Sequence, residues 1–336
     1  MTAETAGAAA DPAADREATA PAPALALDIG GSTMSAALVD ERGTITARGD
    51  IATPKDGARR TFDALREVIE GLRAPLEELS GVGIACAGPL ELSTGSVSPI
   101  NIRQWRGFPL RTAVAELVPH TRVALANDGL CMALGEYWLG AGRGHPDMLG
   151  LVVSTGVGGG LILGGQGYLG RSGNAGHVGH MVVEPEGDRC TCGGRGCVET
   201  VASGPAMVRW ARVRGWQAPP HAHTAHLAAA ARMGEEIALA AFRRGGRAIA
   251  LAIAATAALC DLDLVVLGGG VAQSGGLLLD PVRTTLAEHA GLSFLAGLRV
   301  VPCELPAEAG LLGAAALVGH RTDARPGQPA HLPRRR

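Results

Sequence analysis

Three of the chain's seven cysteines, Cys190, Cys192 and Cys197, stand in a C-x-C-x4-C pattern, and His180 lies ten positions before the first of them. Zn2+ takes a closed tetrahedral set of Cys thiolates and His nitrogens, and close ligand pairs on glycine-rich turns suit it. Gly193, Gly194 and Gly196 let the backbone double back so that three thiolates can converge on one ion. The plainer alternative is three thiols on a flexible loop, with one pair oxidised. Four ligands at this spacing favour a structural Cys3His zinc site.

Two further stretches have the composition of phosphate cradles. LDIGGSTMSAALVD reads as strand, tight turn and strand, with Asp28 ending the first strand and Gly30, Gly31, Ser32 and Thr33 at the bend. Such a turn offers backbone N–H groups and hydroxyls to phosphate, with the carboxylate facing Mg2+ through water. Taken alone, an ordinary glycine hairpin fits the segment equally well. About 125 residues later VVSTGVGGGLILGG repeats the pattern, with Thr155, Gly156 and Gly158 at its bend. The echo predicts duplicated α/β domains that face one another, each supplying a phosphate-binding turn. Between them, residues 122–126 read as a short strand that delivers Asn127 and Asp128 to a helix start. On spacing alone, Asp128 is most simply the N-cap of that helix.

The elements that must position these groups need a sizeable core, and 336 residues have room for two domains. Hydrophobic residues make up 47% of the chain and charged residues 18%, as in an ordinary soluble globular protein. Aromatic residues are only 3%, so the core must rest on Ala, Val, Leu and Ile. A formal net charge of −2 gives no whole-protein reason to expect nucleic acid or an anionic membrane as partner. An odd, clustered set of cysteines points to a reducing compartment and metal rather than a disulfide framework. No targeting segment is evident and no apolar run is long enough to span a bilayer, so the expectation is a cytoplasmic protein.

In order, residues 1–23 read as a disordered Ala/Pro-rich leader. Strands are expected at 44–51, 81–87, 149–154, 160–163, 263–267 and 298–302. Helices are expected at 59–72, 203–216, 225–260 and from about 307 to 319, with a flexible tail at 320–336. The strand at 263–267 ends in Gly268, Gly269 and Gly270. His221, His223 and His226 alternate in a polar loop without cysteine support and are not read as ligands.

The motif G-H beside C-x-C-G-x-x-G-C-x-E, followed by Ala202, Ser203 and Gly204, resembles the signature of the ROK family of repressors, open reading frames and kinases. The resemblance covers residues 25–320 or so. It implies a two-domain actin-like ATPase (ribonuclease H-like) α/β fold with an interdomain cleft. One domain would be 24–126, joined by the helix at 307–319; the other would be 127–306, with a zinc module at 173–199. It also implies an ATP-dependent sugar kinase using ATP, Mg2+ and a structural Zn2+, and a homo-oligomer, dimer or tetramer. Carried over by motif, Asp128 is the general base, and Asn101, Asn127, His177, His180 and Glu199 contact the sugar. Trp105 matches a tryptophan that follows the asparagine, and Gly268 and Gly269 fall in the adenosine motif. The family pattern departs in three places: Ala87 replaces the first residue of a P-G-P loop, a lysine near Met34 is missing, and His177 replaces a glutamate. Imidazole in place of carboxylate is expected to move specificity near C1 or C2 of the sugar, away from cationic 2-amino sugars. Sugars that present an acceptor there, such as an N-acetyl carbonyl, would be favoured. The resemblance also admits a sugar-binding protein with reduced or lost catalysis, or a transcriptional regulator. Regulators carry a helix-turn-helix module, and the stretch before Leu25 has neither helical period nor basic face, which favours the kinase.

Overall fold

The computed structural model describes residues 22–73 and 76–319; the expected leader, up to residue 21, and the expected tail lie outside the described residues. The chain opens with strands β1 (Ala24–Ile29), β2 (Thr33–Val39), β3 (Ile45–Ala52) and β4 (Gly81–Cys86). A short ribbon, β5 (Leu90–Glu91) with β6 (Ser96–Val97), and then β7 (Val123–Asn127) follow. The first sheet runs β3-β2-β1-β4-β7, antiparallel on the β2 and β3 side and parallel on the β4 and β7 side. Strands β8 (Met148–Val153), β9 (Val157–Leu163), β10 (Gln166–Tyr168), β11 (Leu264–Gly268) and β12 (Arg299–Pro302) form the second sheet in the order β10-β9-β8-β11-β12. Strand for strand, topology and polarity repeat those of the first sheet. The two hairpins read from the sequence are therefore the opening hairpins of two equivalent sheets.

Helices α1 (Ala58–Gly71) and α2 (Leu110–Leu117) cover the outer face of the first sheet. Helix α3 (Asp128–Leu139) fills the space between the sheets together with the last helix of the chain. The outer face of the second sheet is covered by α4 (Val198–Ala202), α5 (Gly204–Val213), α6 (Thr224–Arg232), α7 (Glu236–Cys260) and α8 (Gly276–His289). The last helix, α9 (Ala309–Gly319), packs on α3 and on β1, β4 and β7. Among the described residues no helix is long and apolar enough to cross a membrane.

Period-two alternation along β1 sends Leu25, Leu27 and Ile29 to the outer core and Ala24 and Ala26 to the inner layer. Asp28 therefore points inward with the alanines, against the start of α9, where a Cβ on Gly310 would run into its carboxylate. The inner layer is thin. A Cβ on Gly83 would fall on the Ala314 carbonyl, and one on Gly313 on the Cys131 carbonyl. This close approach of α3, α9 and the first sheet is what the alanine-rich, aromatic-poor composition permits. Glu136 fastens the same layer from its far end. Its fully buried carboxylate accepts N–H bonds from Ala141 (2.9 Å), Glu304 (3.2 Å) and Leu305 (2.8 Å), tying the end of α3 to the turn that launches α9.

Two helical expectations need correction. The helix expected over 225–260 is two helices, because Gly234 adopts a left-handed φ of 85° and Glu235 then caps α7 through the Ala238 N–H. Helix α8 has no counterpart among the expected elements, since Pro281, a residue that ordinarily ends helices, sits inside it.

Candidate active site

Strand β7 ends at Asn127 and α3 begins at Asp128, at the seam between the sheets. The helix cap is Asn127: its side-chain oxygen accepts the N–H groups of Gly129 (2.8 Å) and Leu130 (3.3 Å). The expectation that Asp128 is merely the cap is thereby answered, because that task is already done by its neighbour. Asp128 keeps one backbone contact, from the Gly129 N–H at 2.8 Å, and its carboxylate lines a cavity of about 410 Å3. Burial raises its pKa above the usual carboxylate range, while the Gly129 N–H and nearby His177 pull the other way.

The same cavity is lined by Asn101, Asn127, His177, His180 and Glu199, and by Thr155, Gly156 and Gly158 of the second hairpin turn. Asn101 reaches it by lying over the first turn, where a Cβ on Gly31 would sit 2.8 Å from the Asn101 Cβ. Glu199, in the first turn of α4, accepts the Val157 N–H at 3.0 Å, which fastens its carboxylate to the second turn. Trp105 lies outside the cavity. It is fully buried, stacks on Phe108 with 4.6 Å between ring centroids, and donates its indole N–H to the Ala58 carbonyl at 3.1 Å. It supports the loop that carries Asn101 from behind.

His177 has a defined tautomer. Its Nδ1 lies 2.9 Å from the Asn174 carbonyl oxygen, which can only accept, so Nδ1 carries the proton. In the neutral ring the remaining Nε2 is an acceptor, held beside Gly88, where a Cβ would come within 2.8 Å of it. The donor on which a preference for acceptor-bearing sugars was to rest is spent on the backbone. Asn174 is in turn pinned to Leu90, accepting its N–H at 2.9 Å and donating to its carbonyl at 2.7 Å.

The first turn is closed by Gly30 N–H to the Thr33 carbonyl (3.0 Å), and Thr53 clamps it from behind through Gly30 O (2.7 Å) and Ser32 O (3.0 Å). The hydroxyl-bearing residues Ser32 and Thr33 are exposed. Asp28 behind them has its pKa raised from 3.8 to about 7, chiefly by burial, further by the charge of Asp128, and against the pull of Arg48. The second turn closes by Ser154 N–H to Gly156 O at 2.8 Å, and Thr155 is exposed at its tip. Beyond Thr155 opens a second cavity of about 720 Å3, lined by Gly204, Pro205 and Val208 of α5 and by Gly270 and Val271. Of the triple glycine after β11, Gly268 packs on Met132 and Cys303, Gly269 lies against the Val153 carbonyl, and Gly270 is the one on the cavity wall. The α5 residues were not anticipated as part of this wall, although the Ala202-Ser203-Gly204 motif stands at their start.

In the cysteine segment, Cys192 Sγ and Cys197 Sγ are 3.8 Å apart, and Cys190 Sγ is 3.7 Å from His180 Nδ1. All four donor atoms lie within 4.8 Å of one another. A tetrahedron with Zn–S bonds of about 2.3 Å has edges of about 3.8 Å, whereas a disulfide needs about 2.05 Å. All seven cysteines are free, so the oxidised-pair reading is set aside and the donor set fits zinc. Burial, with Cys190 and Cys192 beside it, pushes the Cys197 thiol up to about 12. Three thiolates crowded in this way call for a cation. With Nδ1 on the cysteine side, His180 has Nε2 left for the Asp128 cavity that it also lines.

Two sheets of one topology, each opened by a glycine hairpin and packed across a helix pair, define an actin-like ATPase-type α/β fold. The model of the ROK family matches residues 24–321, and the chain belongs to that family. It is 35% identical over 316 residues to a glucokinase of Thermotoga maritima, covering 88% of this chain and 97% of the relative. It is 36% identical over 293 residues to an N-acetylmannosamine kinase of Yersinia pseudotuberculosis, covering 87% and 96%. A crystal structure of a ROK family glucokinase from Streptomyces griseus in complex with glucose and AMPPNP superposes with a TM-score of 0.76 at 35% identity, covering 88% of this chain and 99% of that one.

The raised pKa of Asp28 has a thermodynamic consequence. Between about pH 4 and 7 the native chain keeps a proton that the unfolded chain has already released, so its stability falls as pH rises through that window. Asp28→Asn, which has no proton to lose, is expected to melt above wild type at pH 8 in metal-free, nucleotide-free buffer. The gap should close as the pH falls to ~4, where both side chains are neutral. A difference in Tm that is the same at both pH values would contradict the assignment.

Proposed function

We infer that this chain is an ATP-dependent sugar kinase that transfers the γ-phosphoryl group of ATP to a hydroxyl of a hexose or hexose derivative. The observation that carries the reading is a carboxylate released from capping duty, Asp128, facing a cavity lined by the second phosphate-type turn and by Asn101, which lies over the first. The glucokinase and N-acetylmannosamine kinase relatives, and the glucose and AMPPNP bound by the Streptomyces griseus enzyme, support it. In this mechanism Asn101, Glu199 and His180 Nε2 orient the sugar, and Asp128 takes the proton of the attacking hydroxyl as the oxygen–phosphorus bond forms. ADP leaves with the electrons of the broken phosphoanhydride bond. A carboxylate with a raised pKa is a stronger base than an ordinary one, which suits it to a hydroxyl at neutral pH.

The backbone and hydroxyls of Gly30, Gly31, Ser32 and Thr33 face the phosphates from one side, and Thr155, Gly156 and Gly158 from the other. The adenosine would occupy the 720 Å3 cavity beside Gly270. Asp28 would hold Mg2+ through water, and that ion would neutralise charge on the phosphates. A unit of 24–126 with 307–319 would close on 127–306 over both substrates and exclude water. His180, Cys190, Cys192 and Cys197 would hold a structural zinc, keeping the His180 ring and the Glu199 helix in register beneath the sugar.

When its ring is neutral His177 accepts at Nε2, and its partner on the sugar would then be a hydroxyl or amide N–H donor. An ADP-release assay over glucose, glucosamine and the N-acetylated hexosamines is the direct test. Glucose-dependent ADP formation is expected. Absence of ADP release with every sugar, despite sugar binding, would make the chain a non-catalytic sugar-binding protein. In the same assay His177→Glu should raise kcat/KM for glucosamine relative to glucose, since a carboxylate attracts the ammonium. An unchanged ranking would remove His177 from specificity.

Elemental analysis of purified protein is expected to give about one zinc per chain, as a closed four-ligand site requires. Cys192→Ser should lose most of it, together with thermal stability. Full zinc content in that variant would contradict the ligand set.

A further inference from the structure

We propose that Asn174 is a positioning residue of the sugar site. Its side-chain amide latches a segment of the first-sheet half to a segment of the second-sheet half beside the Asp128 cavity, and so holds Asn101 and His177 in register with each other. The proposal rests on the reading of that cavity as a sugar site, and adds to it a residue that does not itself line the cavity.

Leu90 lies in the β5–β6 ribbon, which follows β4 of the first sheet, and Asn174 lies in the segment that follows β10 of the second. A side-chain amide carries an acceptor and a donor side by side, as a peptide unit does. Asn174 presents both to the Leu90 backbone, much as a neighbouring strand would, accepting the N–H at 2.9 Å and donating to the carbonyl at 2.7 Å. Its NH2 group also donates to Ser172 Oγ at 3.1 Å, which fixes the orientation of the amide. A third bond crosses beside these two, from the Leu92 N–H to the Ser172 carbonyl at 3.3 Å. Between the bonds the segments touch: Gly173, at a left-handed φ of 94°, has no room for a Cβ against the Leu90 and Leu92 side chains.

Each side of the latch leads to a group that lines the cavity. On the first side, the segment from Ala87 to Asn101 is closed on itself by Ser98 N–H to Pro89 O at 2.9 Å and Ile100 N–H to Gly88 O at 3.3 Å. Fixing Leu90 therefore fixes the approach of Asn101. On the second side, the Asn174 carbonyl holds His177 Nδ1 at 2.9 Å. The ring's Nε2 comes back to Gly88, where a Cβ would sit 2.8 Å from it, so the circuit of Leu90, Asn174, His177 and Gly88 is closed. A sugar that enters between Asn101 and His177 meets two groups whose spacing is set before it arrives. Without the latch the sugar must order both segments itself, and that ordering is subtracted from its affinity.

The test compares the full chain as wild type, as Asn174→Ala and as the isosteric Asn174→Asp, which fills the same space but offers no N–H to the Leu90 carbonyl. Tm verifies that each variant is folded. Neither measurement needs catalysis: hydrogen exchange of the Leu90 amide in the ligand-free protein, and calorimetric Kd for glucose and the N-acetylated hexosamines. In Asn174→Ala the Leu90 amide is expected to exchange ~10-fold or more faster than in wild type, as the loss of its acceptor implies. Both variants are expected to bind sugar ~10-fold or more weakly, the equivalent of about one net hydrogen bond. Affinity for a non-hydrolysable ATP analogue should match wild type, because Asn174 does not line the nucleotide cavity. The proposal fails if wild type binds none of these sugars, if Leu90 exchange is unchanged in Asn174→Ala, or if either variant binds sugar as tightly as wild type. It fails equally if sugar and ATP-analogue affinities fall together, which is the mark of a merely structural role. The expected losses without ADP release from any sugar would remove the kinase reading and leave the latch standing.

Discussion

Everything in this molecule turns on how one carboxylate is released from its own helix. An aspartate at the start of α3 would ordinarily satisfy backbone N–H groups, and one held in that way is a poor proton acceptor. Asn127, one residue earlier, supplies the cap oxygen for Gly129 and Leu130. The strand-to-helix junction thus costs Asp128 little of its reach into the cavity. The position of that junction is set by the layer behind it, where glycines let α3, α9 and the first sheet approach to backbone contact. Glu136 closes the other end of α3 onto the turn before α9. A helix held at both ends, with no side-chain bulk to repack, leaves its first residue little freedom to drift.

Around Asp128 two acidic groups meet. Asp28 shares the seam between the sheets with it, and burial, aided by the charge of Asp128, raises the Asp28 pKa to about 7. His177 behaves differently. Its Nδ1 is tied to the Asn174 carbonyl, which leaves Nε2, beside Gly88, as the ring's one free nitrogen.

What could be read from the chain alone was what is local. The cysteine and histidine donors fall within a short stretch, and the two glycine hairpins announce themselves by composition, so donor cluster and duplicated sheets were legible. The junction at Asn127 and Asp128 was legible as a place but ambiguous in role, because either residue can cap, and only the hydrogen bonds tell them apart. The tautomer of His177 depends on a carbonyl that no spacing rule identifies. The division at Gly234 and the existence of α8 were hidden by an unbroken run of helix formers and by an internal proline.

The central claim, that Asp128 is free to act as a base because Asn127 caps the helix, is tested most directly by Asp128→Asn. Its single-turnover rate and its sugar affinity should be measured side by side with those of wild type. The substitution keeps the size of the side chain and a carbonyl oxygen for the Gly129 N–H, but it cannot take a proton. The account predicts a chemical step slower by roughly 10²–10⁴-fold, in the range of a lost general base, with sugar Kd and Tm close to wild type. A single-turnover rate near that of wild type, or a loss confined to sugar affinity or folding, would contradict it.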